Sequence, residues 1–374
     1  MVERILLKNI NKKLFKKKAI ILLGPRQVGK TTLLRQISNQ YKKVLWINAD
    51  NMEDRELFDN PSASRLKAII GNNSIIIIDE AQRIKNIGVK LKLVTDEIQN
   101  IQLIATGSSL FELSNTINEP LTGRKYEYQL YPLSFTELVN HSNLLSELKM
   151  INHRLVYGSY PDVINNEGNE KEILQQLTNS YLYKDILEWN KIKKSDKIIK
   201  LLQAISFQVG NQVSYNELGQ TVGLNSETVE SYINLLEQSF VIFKLSSFSR
   251  NLRNELKKPH KIYFYDNGVR NALIANYNSI TLRNDIGALW ENYLISERLK
   301  HCSYNKIYSN KYFWRTHTGQ EIDYIEEREG KLFAYEFKWN IKKKVKVPRS
   351  FEKGYSNFKF EVITPNNYET FISD

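Results

Sequence analysis

The stretch Ala19 to Thr32, AIILLGPRQVGKTT, constrains this chain more than any other. An all-apolar run, Ala19 to Leu23, breaks into a glycine-bounded loop spaced Gly24-x-x-x-x-Gly29-Lys30-Thr31, the spacing of a phosphate-binding P-loop. Each residue type has a physical task. The glycines let backbone N–H groups curl round an anion, and a helix starting near Gly29 aims the positive end of its dipole at the phosphates. The expected nucleotide-binding residues are therefore Gly24, Pro25, Arg26, Gln27, Val28, Gly29, Lys30, Thr31 and Thr32, with Lys30 reaching the β- and γ-phosphates and Thr31 ligating Mg2+. The flanks supply the context the motif needs, a strand before it and, after it, a helix with Leu33, Leu34 and Ile37 on one face.

A strand that feeds such a loop implies an open α/β sheet, whose ligands bind beyond the carboxyl ends of the strands. Lys43 to Asn48 reads as a buried strand, and Ser62 to Ile70 as a short helix ended by Gly71. Ile75 to Ile78, four β-branched residues in a row, reads as a central parallel strand with Asp79 and Glu80 at its C-terminal end, beside the P-loop. Asp79 is expected to hold Mg2+ through its water shell, and Glu80 to polarise the water that attacks the γ-phosphate. A further strand, Ile101 to Ala105, ends in Thr106-Gly107-Ser108-Ser109, where a hydroxyl, Thr106 or Ser108, either senses the γ-phosphate or serves the turn. Arg124, just before a fifth strand from Tyr126 to Leu130, is a candidate arginine finger, in its own subunit or across to a neighbour.

A chain of 374 residues is long enough for two or three domains, each with its own core. Lys and Arg outnumber Asp and Glu by 53 to 41, a net charge of +12 that favours a polyanionic partner, nucleic acid before anionic membrane. The single cysteine, Cys302, excludes an internal disulfide and a multi-cysteine metal site. There is no leader-like apolar segment at the start and no run of membrane-spanning length, so a cytoplasmic location without membrane association is expected.

From Ser134 to about Asn190 the apolar spacing is mostly helical, broken at Gly158 to Pro161, and suits a lid or connector. Tyr181, Tyr183 and Trp189 among Lys184, Lys191, Lys193 and Lys194 suit either a nucleic-acid groove or helical core packing with solvated lysines. Between Val213 and Phe243 a helix-turn-helix is expected. Ser214-x-x-Glu217 opens one helix, Gly223 makes the turn, Asn225 caps the next, and Val229, Tyr232, Ile233, Leu236 and Phe240 form its buried face. Strands at Val241 to Ser246 and Lys261 to Tyr265, joined by a basic loop with Arg250, Arg253, Lys257 and Lys258, complete a winged helix. The outer face of its second helix carries Ser226, Glu227, Glu230, Ser231 and Asn234 and no Lys or Arg, so DNA contact through the wing and a structural or protein-binding role both stay open.

The last third opens with an amphipathic helix from Gly287 to Lys300 that includes Glu291. Three strands follow: Tyr312 to Arg315, Gln320 to Ile325 and Lys331 to Trp339. Alternation puts Glu321 and Asp323 on one face, and Glu336 and Lys338 likewise. An Asp on one strand with Glu-x-Lys on the next resembles the PD-(D/E)XK nuclease constellation. In that reading Asp323 and Glu336 hold Mg2+ near a scissile phosphate, Lys338 orients and helps deprotonate the attacking water, and Glu291 adds a carboxylate. Two charged edges on a solvated sheet are the alternative, and the run Lys342, Lys343, Lys344 and Lys346 suits either a DNA backbone or an ordinary solvated edge.

Taken in order, GPRQVGKTTL, IIIIDEAQR, ATGSS, LTGR, YPLSFTEL, Gly158-Ser159-Tyr160-Pro161 and Tyr181 to Leu187 resemble the bacterial and archaeal AAA-type ATPases that carry a winged helix and a C-terminal restriction-endonuclease-like domain. The resemblance implies an α/β chain with a P-loop AAA-type parallel sheet at 1–135, a helical lid or connector at 136–205, a winged helix at 206–270 and an α/β nuclease-like domain at 271–374. It implies ATP and Mg2+ as cofactors, DNA as a partner and assembly into oligomers as an option. The expected function is an ATPase that controls a Mg2+-dependent nuclease-like domain. The alternative is a nucleotide-gated binding switch whose C-terminal domain does not cut.

Overall fold

Five apolar stretches of the first third pair into one parallel sheet. They are β1 (Ala19–Leu23), β2 (Val44–Asn48), β3 (Ile75–Asp79), β4 (Gln102–Gly107) and β5 (Lys125–Gln129), in the spatial order β2-β3-β4-β1-β5. The computed structural model describes residues 1–58, 62–108, 117, 120–182, 195–249, 260–340 and 345–373. β1, β3 and β4 are buried along their whole length, as parallel strands covered on both faces must be. β2 lies at the edge and is only half-buried at Val44, Leu45 and Trp46, which corrects its reading as a buried strand. Apolar content does not distinguish an edge strand from a central one.

The chain forms two compact units, Met1–Leu133 with Gln238–Phe240, and Ser134–Glu237 with Val241–Asp374. The first boundary falls beside the expected one at 135. Ser134 opens the second unit through a capping box, accepting from Glu137 N while Glu137 Oε2 accepts from Ser134 N at 3.0 Å. The next amide, Phe135 N, donates to Glu297 at 2.7 Å, tying the segment at 136–205 to the long helix Ile286–Tyr304. Those residues do not form a body of their own.

Nor does the chain divide at 270. A single seven-stranded sheet, ordered β12-β11-β10-β9-β7-β8-β6, runs through the second unit. It joins β6 (Gln212–Val213), β7 (Ile242–Ser247) and β8 (His260–Phe264) to β9 (Asn310–Arg315), β10 (Glu321–Arg328), β11 (Lys331–Phe337) and β12 (Phe358–Ile363). The join is a parallel pairing, Ser246 with Tyr312 and Ser247 with Phe313. Helices Tyr215–Val222 and Ser226–Gln238 precede β7, with Ser214 and Asn225 accepting from the first-turn amides as expected and Gly223 left-handed at the turn.

The helix Ile286–Tyr304 is buried on most of its circumference, not on one stripe. Trp290 is fully buried and meets Trp339 and Tyr368 edge-on at 5.3 Å. Several polar residues of this helix are paired inside the fold: Arg298 clamps Glu326 at 2.8 and 3.2 Å, and Asn292 bonds both backbone groups of Phe264. Amphipathic spacing could not anticipate this, because buried charge is tolerated only where a partner meets it, and the partner of Arg298, Glu326, lies on another element. Gly158, at φ +71, explains the break in the helical segment: a Cβ there would lie 2.0 Å from Asp266 Oδ1.

Candidate nucleotide site and a second carboxylate cluster

The loop after β1 is shaped for an anion. Gly24 passes so close to Leu130 that a Cβ would lie 2.2 Å from its carbonyl oxygen, and Gly29, left-handed at φ +97, caps the helix Lys30–Ser38. Val28 is buried and Gln27 is exposed at φ +56, while Pro25 is buried and Arg26 half-buried. Lys30 is buried and curls over the loop, donating to the carbonyls of Gly24 at 2.8 Å and Pro25 at 2.9 Å. These are contacts that a triphosphate would replace. Thr31 and Thr32 stand exposed in the first helical turn.

β3 brings the acids to this loop. Thr31 Oγ1 donates to Asp79 Oδ2 at 2.8 Å, and Thr106 Oγ1, at the end of β4, donates to Asp79 Oδ1 at 2.5 Å. Thr106 also accepts from Glu80 N at 3.1 Å. Thr106 thus links β3 to β4, with its hydroxyl engaged by Asp79. Glu80 sits at φ +52 and receives Gln82 Nε2 at 2.5 Å, which also donates to Ser108 Oγ at 3.1 Å. The donor set, a hydroxyl and a carboxylate side by side, is of the kind that Mg2+ takes beside waters and phosphate oxygens. Thr31 and Asp79 would hold the ion.

Arg124 is elsewhere. Its carbonyl accepts from Ala19 N, at the start of β1, whereas the P-loop follows Leu23 at the other end. At about 3.3 Å per residue that is roughly 13 Å from the phosphate loop. Its guanidinium is bonded to Asp96 at 2.6 Å instead. The structure therefore does not bring Arg124 to the nucleotide site of its own chain. A cavity of about 480 Å³, lined by Lys17, Lys18, Asp96 and Asn100 among others, occupies that end of the sheet.

Two supporting residues escaped the sequence reading. Arg4 is buried and donates to Val28 O at 2.9 Å and to Tyr131 O, bracing the P-loop from the N-terminal segment. Gln82 orients Glu80. Neither belongs to a motif with fixed spacing, although the AQR following the acid pair was visible.

In the second unit, β10 and β11 pair in antiparallel register through Tyr324 and Tyr335, which sets Asp323 beside Glu336. Phe337 N donates to Asp323 Oδ2 at 2.8 Å, and Lys338 Nζ donates to Glu336 Oε1 at 2.7 Å. Pairing of β10 with β9 slips between Ile322 and Ile325, an irregularity of the kind that re-aims a side chain next to a site. Burial, and next the charge of Asp323, push Glu336 up to about 7. Asp323 is also raised, by burial first, against the pull of Lys261. Two carboxylates that resist ionising together are what a divalent cation would relieve, and Mg2+ needs only one or two of them beside its waters. Asp323 and Glu336 fit that role. Among the described residues no group of three or more His, Cys, Asp or Glu stands ready to hold a metal ion.

Glu291 reaches the same cluster from the helix Ile286–Tyr304, where Lys261 and Tyr263 of β8 both donate to its Oε1, at 3.1 and 2.6 Å. Burial drives Glu291 up to about 7, opposed by Lys261 and reinforced by Asp323. Lys261 also pairs with Glu321 Oε1 at 2.5 Å. Burial works against its charge, but Glu291, Asp323 and Glu321 outweigh it and hold the ammonium above the usual lysine value. Lys261 and Tyr263 were legible only as apolar-strand residues. The basic loop at 250–259, the lysines at 342–344 and the aromatic-basic mixture at 183–194 lie outside the described residues.

The first unit is thus a P-loop ATPase domain of the AAA type. Residues 16–139 match the model of the AAA domain, while residues 148–309 and 286–370 match two models described as domains of unknown function, DUF8612 and DUF4143. An uncharacterized protein of Methanocaldococcus jannaschii is 25% identical over 384 residues, covering 96% of this chain and 83% of its own. One from Mycobacterium tuberculosis is 23% identical over 324 residues, covering 85% and 70%. Among solved structures, the Walker-type ATPase of Pyrococcus abyssi is similar with a TM-score of 0.51 at 16% identity, over 73% of this chain and 96% of that one, a likeness of fold. No helix among the described residues is long and apolar enough to cross a membrane.

Proposed function

We propose that this chain binds and hydrolyses ATP with Mg2+ and uses the nucleotide state to control a C-terminal, Mg2+-dependent nuclease-like domain acting on DNA. The observation that carries the ATPase part is the hydrogen-bonded chain Thr31–Asp79–Thr106, which sets a P-loop hydroxyl, the β3 acid and the β4 tip around one point, with Glu80 next to it. In this reading Lys30 and the loop amides take the phosphates, Asp79 and Thr31 hold Mg2+, and Glu80 directs the attacking water. The nuclease-like part rests on Asp323 and Glu336 lying on adjoining strands, with Lys338 just past the end of β11 and Glu291 nearby. DNA as the partner rests on the +12 charge and on the helix-turn-helix and strand order preceding β9, which suits a winged helix.

The test is ATP turnover and DNA cleavage in the full-length protein with Lys30→Ala and Asp323→Ala. Hydrolysis untouched by the first, or cleavage untouched by the second, rejects the corresponding site. If about six phosphates are contacted, log affinity for DNA falls with log salt at a slope near -5.

A second reading has a specific observation in its favour. Lys261 already sits among the carboxylates, so a C-terminal domain that docks a partner without cutting, gated by nucleotide, also suits the geometry. Absence of Mn2+ uptake by the C-terminal cluster would favour it.

A further inference from the structure

Lys261 enters the carboxylate cluster from β8, whereas Glu321 and Asp323 come from β10, Glu336 from β11 and Glu291 from the helix between. It is 2% exposed, with its Nζ 3.1 Å from Glu291 Oε1, 2.5 Å from Glu321 Oε1 and 5.4 Å from the centre of the Phe313 ring. Its ammonium is thus almost wholly shielded from solvent and held by two carboxylates from different elements. We infer that Lys261 is a resident cation occupying the position of a second divalent ion, so that the cluster takes one ion, on Asp323 and Glu336. This rests on the metal-dependent reading of the same site.

The charge count supports it. Once a bound cation has drawn off their protons, Glu291, Glu321, Asp323 and Glu336 supply four negative charges, and Lys261 and Lys338 return two positive ones. The remaining two match one divalent ion. Arg315 reaches Glu321 Oε2 only at 3.7 Å from an exposed position, where solvent weakens its effect. A second ion would need the oxygens of Glu291 and Glu321 that Lys261 already engages, and would sit against a like charge in a site of low dielectric. Tyr263, two residues along β8, holds the same Glu291 oxygen and fixes the arrangement.

The experiment counts Mn2+ bound to the nucleotide-free, full-length protein carrying Thr31→Val and Asp79→Asn, which take away both P-loop ligands, by calorimetry and electron paramagnetic resonance. The expected result is one ion in this parent, one after Lys261→Arg and two after Lys261→Met. One ion at unchanged affinity in a folded Lys261→Met overturns the inference while leaving the metal reading in place. No ion in the parent or in Lys261→Met rejects both. No ion in the parent and one in Lys261→Met rejects the metal-dependent reading and keeps Lys261 as the resident cation. Should Lys261→Met fail to fold, Glu321→Gln decides: with one counter-charge removed, Lys261 should weaken Mn2+ binding about tenfold, and unchanged binding overturns the inference.

Discussion

Thr31 Oγ1 and Asp79 Oδ2 stand 2.8 Å apart although 48 residues separate them in the chain. This contact joins the P-loop helix to the tip of β3, and Thr106 holds the other oxygen of the same carboxylate. Asp79 is thereby oriented before any ligand arrives. Asp79→Asn should raise the Mg2+ concentration for half-maximal ATP hydrolysis about tenfold or more, the usual consequence of disturbing a metal-orienting group. A Mg2+ titration of turnover checks it, and an unchanged midpoint would remove Asp79 from the metal site.

Glu80 is half-buried, backed by Gln82 and attached through its backbone to Thr106. Glu80→Gln keeps the shape and removes the base. Hydrolysis should fall about 10^2- to 10^4-fold while ATP affinity stays within about threefold. Equal losses in binding and turnover would assign Glu80 a structural role.

Arg124 lies at the amino ends of the strands, paired with Asp96. Arg124→Ala should leave hydrolysis by dilute, monomeric protein within about twofold of wild type. If subunits assemble so that Arg124 meets a neighbour's phosphate, the same change should cost about 10^3-fold in the assembled protein. Turnover measured across a range of protein concentrations separates the two, and a large loss in the monomer would contradict the placement.

Asp266 is buried, accepts from Ser159 N at 2.7 Å and from Val269 N at 3.1 Å, and has its pKa raised by burial, with Lys300 and the backbone donors opposing. The native state therefore holds its proton more tightly than the unfolded chain. The resulting stabilisation is complete below the unfolded pKa, near 3.9, and is lost as pH rises through the higher folded value. Asp266→Asn removes this dependence, so the unfolding free energy of wild type minus that of the variant should decrease from pH 4 to pH 7 in urea unfolding. A wild type that gains stability relative to the variant over that range would refute the shift.

Much of the first unit was legible because its signals are local. The P-loop spacing, the four isoleucines ending in Asp79 and Glu80, and the turn at Thr106 each follow from adjacent residues, and β1, β3 and β4 occur where their apolar runs stand. For Arg124 the sequence left its own chain and a neighbour both open, and the structure places it at the start of β5, paired with Asp96. In a parallel sheet every strand start lies opposite the ligand end.

The second unit was harder to read. Its strands were found, but their order joins β7 to β9 across the expected boundary at 270, and the helix Ile286–Tyr304 is buried where a stripe was expected. By itself, the sequence determined which residue types could bind phosphate and metal, and roughly where strands and helices form, since spacing and side-chain shape act over a few residues. Only the tertiary structure decided that Thr106 is engaged by Asp79, that Arg4 braces the P-loop and that Lys261 neutralises Glu291 and Glu321. Charge pairing in a buried site depends on distance in space, and a strand such as β8 acquires its partners only when the sheet has assembled.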